Sequence, residues 1–362
     1  MESLLLNTNA FTSTPNRILI CTPSNGAIDA IAIRLLKRYG SFMNLIRIGN
    51  FEKVHPDVAH CHFDMLVSKA LKPHEKFEEE RKLLTQANVI LSTLNSVQSI
   101  CMNMFRSSIS HDISYTFKKD RFSGPPQPAF RCVIIDEAGQ STEPELLMPL
   151  VYPTNKLILI GDHLQLPATV ISSFAQGKNY GRSMLERSCK HFQALCDAGG
   201  DDDQQKILEQ LPMLTLKQQF RMRPEIVAFP SAQFYGGQLQ TPARTGENAA
   251  IPLKPYVVFD VTDSQEKKGS GGKNKGFALP SMSKYNLEEA AFVMTLLRAI
   301  FARLGYPNLN KRKPMTTGKG ALKVKIGVIT FYQVGSFFNC LSLPEVLTLF
   351  PVLHIPRDRR RS

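Results

Sequence analysis

Apolar residues in this chain gather into short unbroken runs. Each run closes on a polar cluster, and most lead into a stretch whose apolar positions recur three or four residues apart. Residues 17–21 enter Thr22-Pro23-Ser24-Asn25. A helical pattern follows through Ile28, Ile31, Ile33 and Leu36, with Ser24 or Asn25 placed to cap it. Residues 45–49 form another short run, and residues 87–94 repeat the strand-then-hydroxyl pattern, ending in Ser92 and Thr93. Val133-Ile134-Ile135 ends in Asp136-Glu137-Ala138-Gly139-Gln140, and residues 157–160 end in Gly161-Asp162-His163-Leu164-Gln165. A continuous apolar run reads as a strand buried on both faces. Alternation of such runs with amphipathic helices predicts an α/β fold with a parallel sheet covered on both sides. Ligands of such sheets sit where the strands end, so an acidic pair and an Asp/Gln pair are predicted on one rim.

The intervening segments read differently. Residues 51–86 are polar and mostly helical, with residues 78–82 as a solvated charged face, and residues 103–129, rich in Ser, Lys, Gly and Pro, read as a loop. Residues 198–206 form an acidic linker and a domain boundary. Beyond it lie the block Gln218-Gln219-Phe220-Arg221-Met222-Arg223-Pro224-Glu225, a strand over 256–261, a disordered basic Gly/Lys/Ser loop over about 264–281, a helix over 286–304 and a strand over 324–330.

Charge and cysteine usage narrow the function. The chain has 362 residues, room for two domains, and a net charge of +13. Such an excess of Lys and Arg suits a polyanionic partner; the plain alternative is solvated loops, because much of the excess lies in 267–275, 311–325 and 357–361. The seven cysteines form no C-x-x-C pair and read as reduced thiols. His60-Cys61-His62 offers no second ligand pair, so no zinc site is expected. No stretch of 18 apolar residues exists, so no membrane partner is expected.

Seven ordered blocks resemble the superfamily 1 helicases of the senataxin and nonsense-mediated-decay type: ILICTPSNGAIDAI, ANVILSTLNS, CVIIDEAGQSTEPELLMPL, KLILIGDHLQLPATVIS, LTLKQQFRMRPEIVAFPSAQFY, NLEEAAFV and KIGVITFY. They span residues 17 to 333, and the TVIS and NYGRSMLERS stretches look most like the senataxin branch. The resemblance implies two RecA-like P-loop NTPase domains. The first is partial, over 17–197 with insertions at 51–86 and 103–129; the second, also partial, covers 207–333. They are flanked by a non-family start at 1–16 and a divergent basic tail at 334–362. It implies ATP and Mg²⁺ as cofactors and single-stranded RNA or DNA as partner, with RNA–DNA hybrids as a further substrate. It suggests a nuclear location, with the cytoplasm as the alternative.

The resemblance also assigns roles. Asp136 would hold Mg²⁺ and Glu137 would act as general base on the attacking water, or the pair merely starts a helix. Gln165 resembles the γ-phosphate sensor; the alternative is that Gly161 and Asp162 merely form a strand-ending turn. Arg221 resembles the arginine that the second domain aims at the γ-phosphate, and Phe220 stands where an adenine-stacking aromatic sits; a surface arginine beside a packed phenylalanine is the plain alternative. Glu289 is a nucleotide contact or an ordinary helix carboxylate. Thr22, Ser24, Asn25, Ser92 and Thr93 resemble groove-lining positions that bond phosphates and sugars, or they cap helices and turns. Thr330 is placed to add a second-domain contact.

Two features of the family are missing. No G-x-x-x-x-G-K-[ST] segment, which would cradle the β- and γ-phosphates, occurs in the chain, and Gly318-Lys319-Gly320 lacks its upstream glycine and hydroxyl. From about Val334 the sequence departs from the family's later blocks. The expectation is an incomplete helicase core, inactive by itself, or a non-catalytic basic remnant that binds nucleic acid or protein.

Overall fold

The computed structural model describes residues 17–40, 42–67, 73–106, 128–198, 212–243, 254–262, 264–268, 284–303, 326–330 and 347–351. The chain divides into two compact units, Met1–Leu214 and Thr215–Ser362.

The first unit is built on a five-stranded sheet in the order β2-β3-β1-β4-β5, with β1 Ile18–Thr22, β2 Leu45–Ile48, β3 Val89–Thr93, β4 Cys132–Ile135 and β5 Leu157–Leu159. Every pairing is parallel. The unbroken apolar runs have the cause inferred from the sequence: alternate side chains of one strand enter two different cores. Leu19, Cys21, Ile46, Ile90, Val133 and Ile135 pack on one face with Phe63, Leu84, Met102, Phe130 and Tyr152. Ile18, Ile20, Leu45, Val89, Leu91 and Ile134 pack on the other with Ile28, Ala32 and Leu35 of helix α1, Asn25–Tyr39. Arg17 is buried at the start of β1, where its guanidinium donates to the carbonyls of Thr85, Ala87 and Ala129 and lies over the Phe105 ring.

The described residues between 51 and 86 are mostly helical, first as 3₁₀ turns at Phe51–Lys53 and Pro56–Cys61, then as a short helix at Phe63–Leu66 and as α2, Pro73–Gln86; residues 68–72 lie outside the described residues. In the His60-Cys61-His62 stretch the His62 ring nitrogen Nε2 lies 2.9 Å from the Gly49 carbonyl, and the Cys61 thiol donates to the Val58 carbonyl. Residues 107–127, most of the predicted loop, lie outside the described residues, as does the acidic linker apart from Ala198, the last residue of α3, Met184–Ala198.

In the second unit, helices α4, Pro224–Phe234, and α5, Leu287–Arg303, accompany β6, Ile326–Thr330, which pairs in parallel with β7, Leu347–Pro351. Met294, Leu297 and Phe301 of α5 pack with Ile326 and Val328. One expectation changes here. Residues 256–261 are no strand, because no ladder partner lies beside them among the described residues, and Tyr256 and Val258 are exposed. Of the predicted basic loop, Lys267–Lys268 pair antiparallel with Lys284–Tyr285, and residues 269–281 lie outside the described residues. Within the segment read as a divergent tail, Leu347–Pro351 form β7.

Candidate nucleotide and nucleic-acid site

Strand order creates the site. From β1 the chain moves to β2 and back to β3 on one side of the sheet; β4 and β5 lie on the other. The segments that follow β1 and β4 diverge to opposite faces: Ile28 of α1 belongs to one core, Ala138 and Leu146 to the other. A crevice opens outside the strand ends where such a reversal occurs. Register places Thr93, Thr22, Asp136 and Ile160 in succession along that rim, since Thr22 is level with Thr93, the Asp136 N–H donates to the Cys21 carbonyl, and the Ile160 N–H donates to the Ile135 carbonyl.

The β4–β5 half carries the acids and amides. Asp136 Oδ1 accepts the Glu137 N–H at 3.0 Å, and among the described residues Oδ2 has no partner. Glu137 itself is left-handed, φ 57°, a conformation that costs a non-glycine residue about 1 kcal/mol. It breaks the alternation of the strand directly after Asp136. Gln140 Nε2 donates to Glu137 Oε2 at 3.0 Å. Asp162 accepts the Leu164 N–H on Oδ1 and the Gln165 amide, at 2.8 Å, on Oδ2. A carboxylate only accepts, so the orientation of Gln165 is fixed: its nitrogen faces Asp162 and its oxygen remains for another donor. The two segments touch backbone to backbone. A Cβ on Gly139 would stand 2.6 Å from the Asp162 carbonyl oxygen, and one on Gly161 2.9 Å from the Gly139 nitrogen.

A Mg²⁺ ion keeps several waters and takes few protein carboxylates. The single uncommitted oxygen of Asp136 fits that demand. Among the described residues no three His, Cys, Asp or Glu side chains cluster as a metal site, so water and phosphate would complete the shell.

The β3–β1 half carries hydroxyls and amides, of which only some reach the surface. Thr22, Ser92 and Thr93 are buried: Thr22 donates to the Ser24 carbonyl, Ser92 to the Thr93 carbonyl and Thr93 to the Ser96 hydroxyl. Ser24 is exposed and caps α1 by accepting the Ala27 N–H. Asn25 is half-buried, and its Oδ1 accepts from Arg47 Nη2 at 2.8 Å. Arg47, wholly buried, also pairs with Asp29 at 2.9 Å and donates to the Ile48 carbonyl; Asp29 accepts the His55 N–H on its other oxygen. Sequence reasoning missed this pair, and it missed Gln140 and Asp162 as the groups that hold Glu137 and Gln165. The available signals were an arginine inside the apolar run of β2 and an aspartate one residue from Ile28 on the core-facing side of α1.

In the second unit Phe220 and Arg221 are exposed, and the Arg221 guanidinium has no partner among the described residues. The turn that presents them is folded by Gln219, whose Oε1 accepts the N–H groups of Arg221 and Met222 and whose amide donates to the Met222 carbonyl. Glu289 is half-buried in the first turn of α5, its N–H capped by Asn286 Oδ1, and Thr330 closes β6.

Comparison with known proteins bears on this geometry. One family model described as an AAA domain matches residues 2–81 and 64–173, and another AAA-domain model matches residues 180–336. The chain is 29% identical over 383 residues to the mouse (Mus musculus) "Probable helicase senataxin", a match covering 88% of this chain and 13% of that protein. It is 32% identical over 311 residues to "Probable helicase MAGATAMA 3" of Arabidopsis thaliana, covering 81% of this chain and 32% of the relative. It is 25% identical over 337 residues to the Neurospora crassa "Regulator of nonsense transcripts 1 homolog", covering 88% and 26%. The chain therefore spans less than a third of the length of each of these relatives.

Proposed function

Because the chain belongs to the superfamily 1 helicases of the senataxin and nonsense-transcript-regulator type, matched at low identity, we propose that it is part of the core of an ATP-dependent helicase acting on single-stranded RNA or DNA. The observation that carries this reading is the divided rim: acids and amides at the ends of β4 and β5, exposed Ser24 and half-buried Asn25 beyond β1, on either side of one strand-order reversal. On this reading Asp136 would hold Mg²⁺, and the ion would supply neutralisation of phosphate charge. Glu137, held by Gln140, takes the proton of the attacking water. Gln165, turned by Asp162, offers its oxygen to that water and its second amide hydrogen to phosphate. Arg221 contributes the guanidinium that offsets transition-state charge, Phe220 stacks on the base, and Glu289 contacts the nucleotide. Ser24 and Asn25 bond the sugar–phosphate backbone without reading bases.

The 362 residues contain no G-x-x-x-x-G-K-[ST] segment. Most contacts to the β- and γ-phosphates are therefore absent from this polypeptide, and negligible turnover is expected of it alone. The same observation supports a second reading, in which the polypeptide binds nucleic acid without hydrolysis.

Fluorescence anisotropy with labelled single-stranded RNA and DNA, together with phosphate release from ATP·Mg²⁺, tests both readings. The expected result is salt-sensitive, sequence-tolerant binding with no phosphate release. Binding that responds to ATP and is altered in Glu137→Gln favours the helicase core; binding indifferent to both favours the non-hydrolysing reading. Absence of binding at low salt refutes the nucleic-acid function, and micromolar ATP affinity with turnover refutes the predicted inactivity.

A further inference from the structure

Arg47 is an arginine with no exposure, set in the middle of β2 on the core face that α1 covers. Burying a charge without partners is costly, and a buried ion pair seldom stabilises more than apolar residues of the same volume. Stability alone therefore does not account for an arginine here. Its contacts supply another reason. One nitrogen pairs with Asp29, one donates to the Ile48 carbonyl, and the third, Nη2, reaches Asn25 Oδ1 at 2.8 Å. Asp29 is itself committed on both oxygens, to Arg47 and to the His55 N–H. The guanidinium therefore has little freedom to turn away.

The consequence falls on Asn25. A guanidinium has donors only, so the amide oxygen of Asn25 must face it and the opposite orientation of the amide is excluded. What Asn25 keeps for other partners is its Nδ2–H₂ group. Next to it, the Ser24 oxygen already accepts the Ala27 N–H, which leaves the hydroxyl hydrogen to donate. Both side chains offer donors, and phosphate and sugar oxygens are acceptors.

We infer that the buried Arg47–Asp29 pair is a positioning device that fixes Asn25 as a hydrogen-bond donor toward the phosphate oxygens of a bound single strand. The inference rests on the proposed nucleic-acid function of this rim. Arg47 touches no ligand and acts through Asn25. A free asparagine amide samples both orientations and bonds water with either end; a held one meets the strand with no ordering cost.

The test uses the full 362-residue chain and a labelled single-stranded oligouridylate, read by anisotropy at fixed low salt, with thermal unfolding measured on every variant. Asn25→Ala is expected to weaken binding about tenfold, the worth of one hydrogen bond to a charged acceptor. Asn25→Asp keeps the contact to Arg47 but removes the donor, and should bind no better than Asn25→Ala. The combined replacement Arg47→Met with Asp29→Leu removes both charges together and so strands neither in the core; binding should fall severalfold, and adding Asn25→Ala to it should cost little more. That non-additivity is what a merely structural role would not produce. Should the combined variant unfold, Asn25→Asp decides by itself, since undiminished affinity there overturns the donor assignment. Full loss from Asn25→Ala on top of the combined replacement overturns the positioning role while leaving the nucleic-acid reading intact. Failure of the unmodified chain to bind refutes that reading instead.

Discussion

Substitution of Gly139 by alanine tests whether the acidic segment after β4 and the amide segment after β5 share one rigid rim. The added Cβ would lie 2.6 Å from the Asp162 carbonyl oxygen and 3.1 Å from its carbon, both backbone atoms. Carbon pairs settle at about 3.5–4.0 Å, so the segments must separate by roughly an ångström. Gly139 has no positive φ, so its backbone accepts alanine and the whole penalty is contact. Forcing a methyl group into a packed site costs about 1–3 kcal/mol, and alanine returns about 0.4–1 kcal/mol by restricting the unfolded chain. At the middle of both ranges the net loss is about 1.3 kcal/mol, or roughly 3–5 °C in Tm for a domain of this size. Gly26 of α1 is the control: nothing lies within 4 Å of its Cβ position, so Gly26→Ala should raise Tm by about 1–4 °C. Differential scanning calorimetry of the three proteins reads both effects. A Gly139→Ala variant as stable as the parent, beside a Gly26→Ala variant that behaves as stated, would refute the backbone contact between the two segments.

Other expectations follow from single side chains. The buried Tyr152 hydroxyl donates to the Val97 carbonyl at 2.7 Å, so Tyr152→Phe leaves that carbonyl unpaired and should cost about 1–2 kcal/mol in urea unfolding; a change below about 0.3 kcal/mol would count against the bond. Arg47→Met alone strands the Asp29 carboxylate and should cost about 3–5 kcal/mol, far more than the paired replacement. Comparable losses in the two would show that Arg47 matters chiefly for packing. Burial pushes the thiols of Cys61 and Cys101 up to about 11 from an ordinary value of 9.0. The unfolded chain therefore loses these protons first, and their contribution to stability, complete below pH 9, is lost as the pH rises toward 11. A Tm that is flat from pH 8.5 to 11 would contradict this, and native-state thiol labelling at pH 8 should be slow at both positions.

The sheet was legible because both its faces are covered. Strands β1, β3 and β4 meet apolar neighbours on either side, and that demand writes an unbroken apolar run into each. The placement of Asp136 and Gln165 on one rim followed from the same runs. The supporting groups were not legible. Arg47 lies in the run taken as β2 and Asp29 in the helical pattern of α1, and nothing in their spacing says that they meet; only the pairing across the α1–sheet contact shows that each buries the other. Thr22, Ser92 and Thr93 read either as groove-lining hydroxyls or as turn formers, and residue type alone does not show that their hydrogens go to local carbonyls and hydroxyls. The apolar run at 256–261 looked like a strand because residue pattern carries no information on whether a neighbouring ladder exists.

Among the described residues strand β5 has a neighbour on one side only, and its three residues are half-buried where the inner strands are fully covered. Ile160, Leu164 and Leu166, directly after it, are exposed. A margin of unpaired amides and carbonyls fringed by aliphatic side chains is adhesive toward any extended peptide, a second copy of the same margin included. Solubility of the isolated polypeptide should accordingly fall with protein concentration well below its melting temperature. Light scattering should detect self-association that an added charge at Ile160 or Leu164 suppresses.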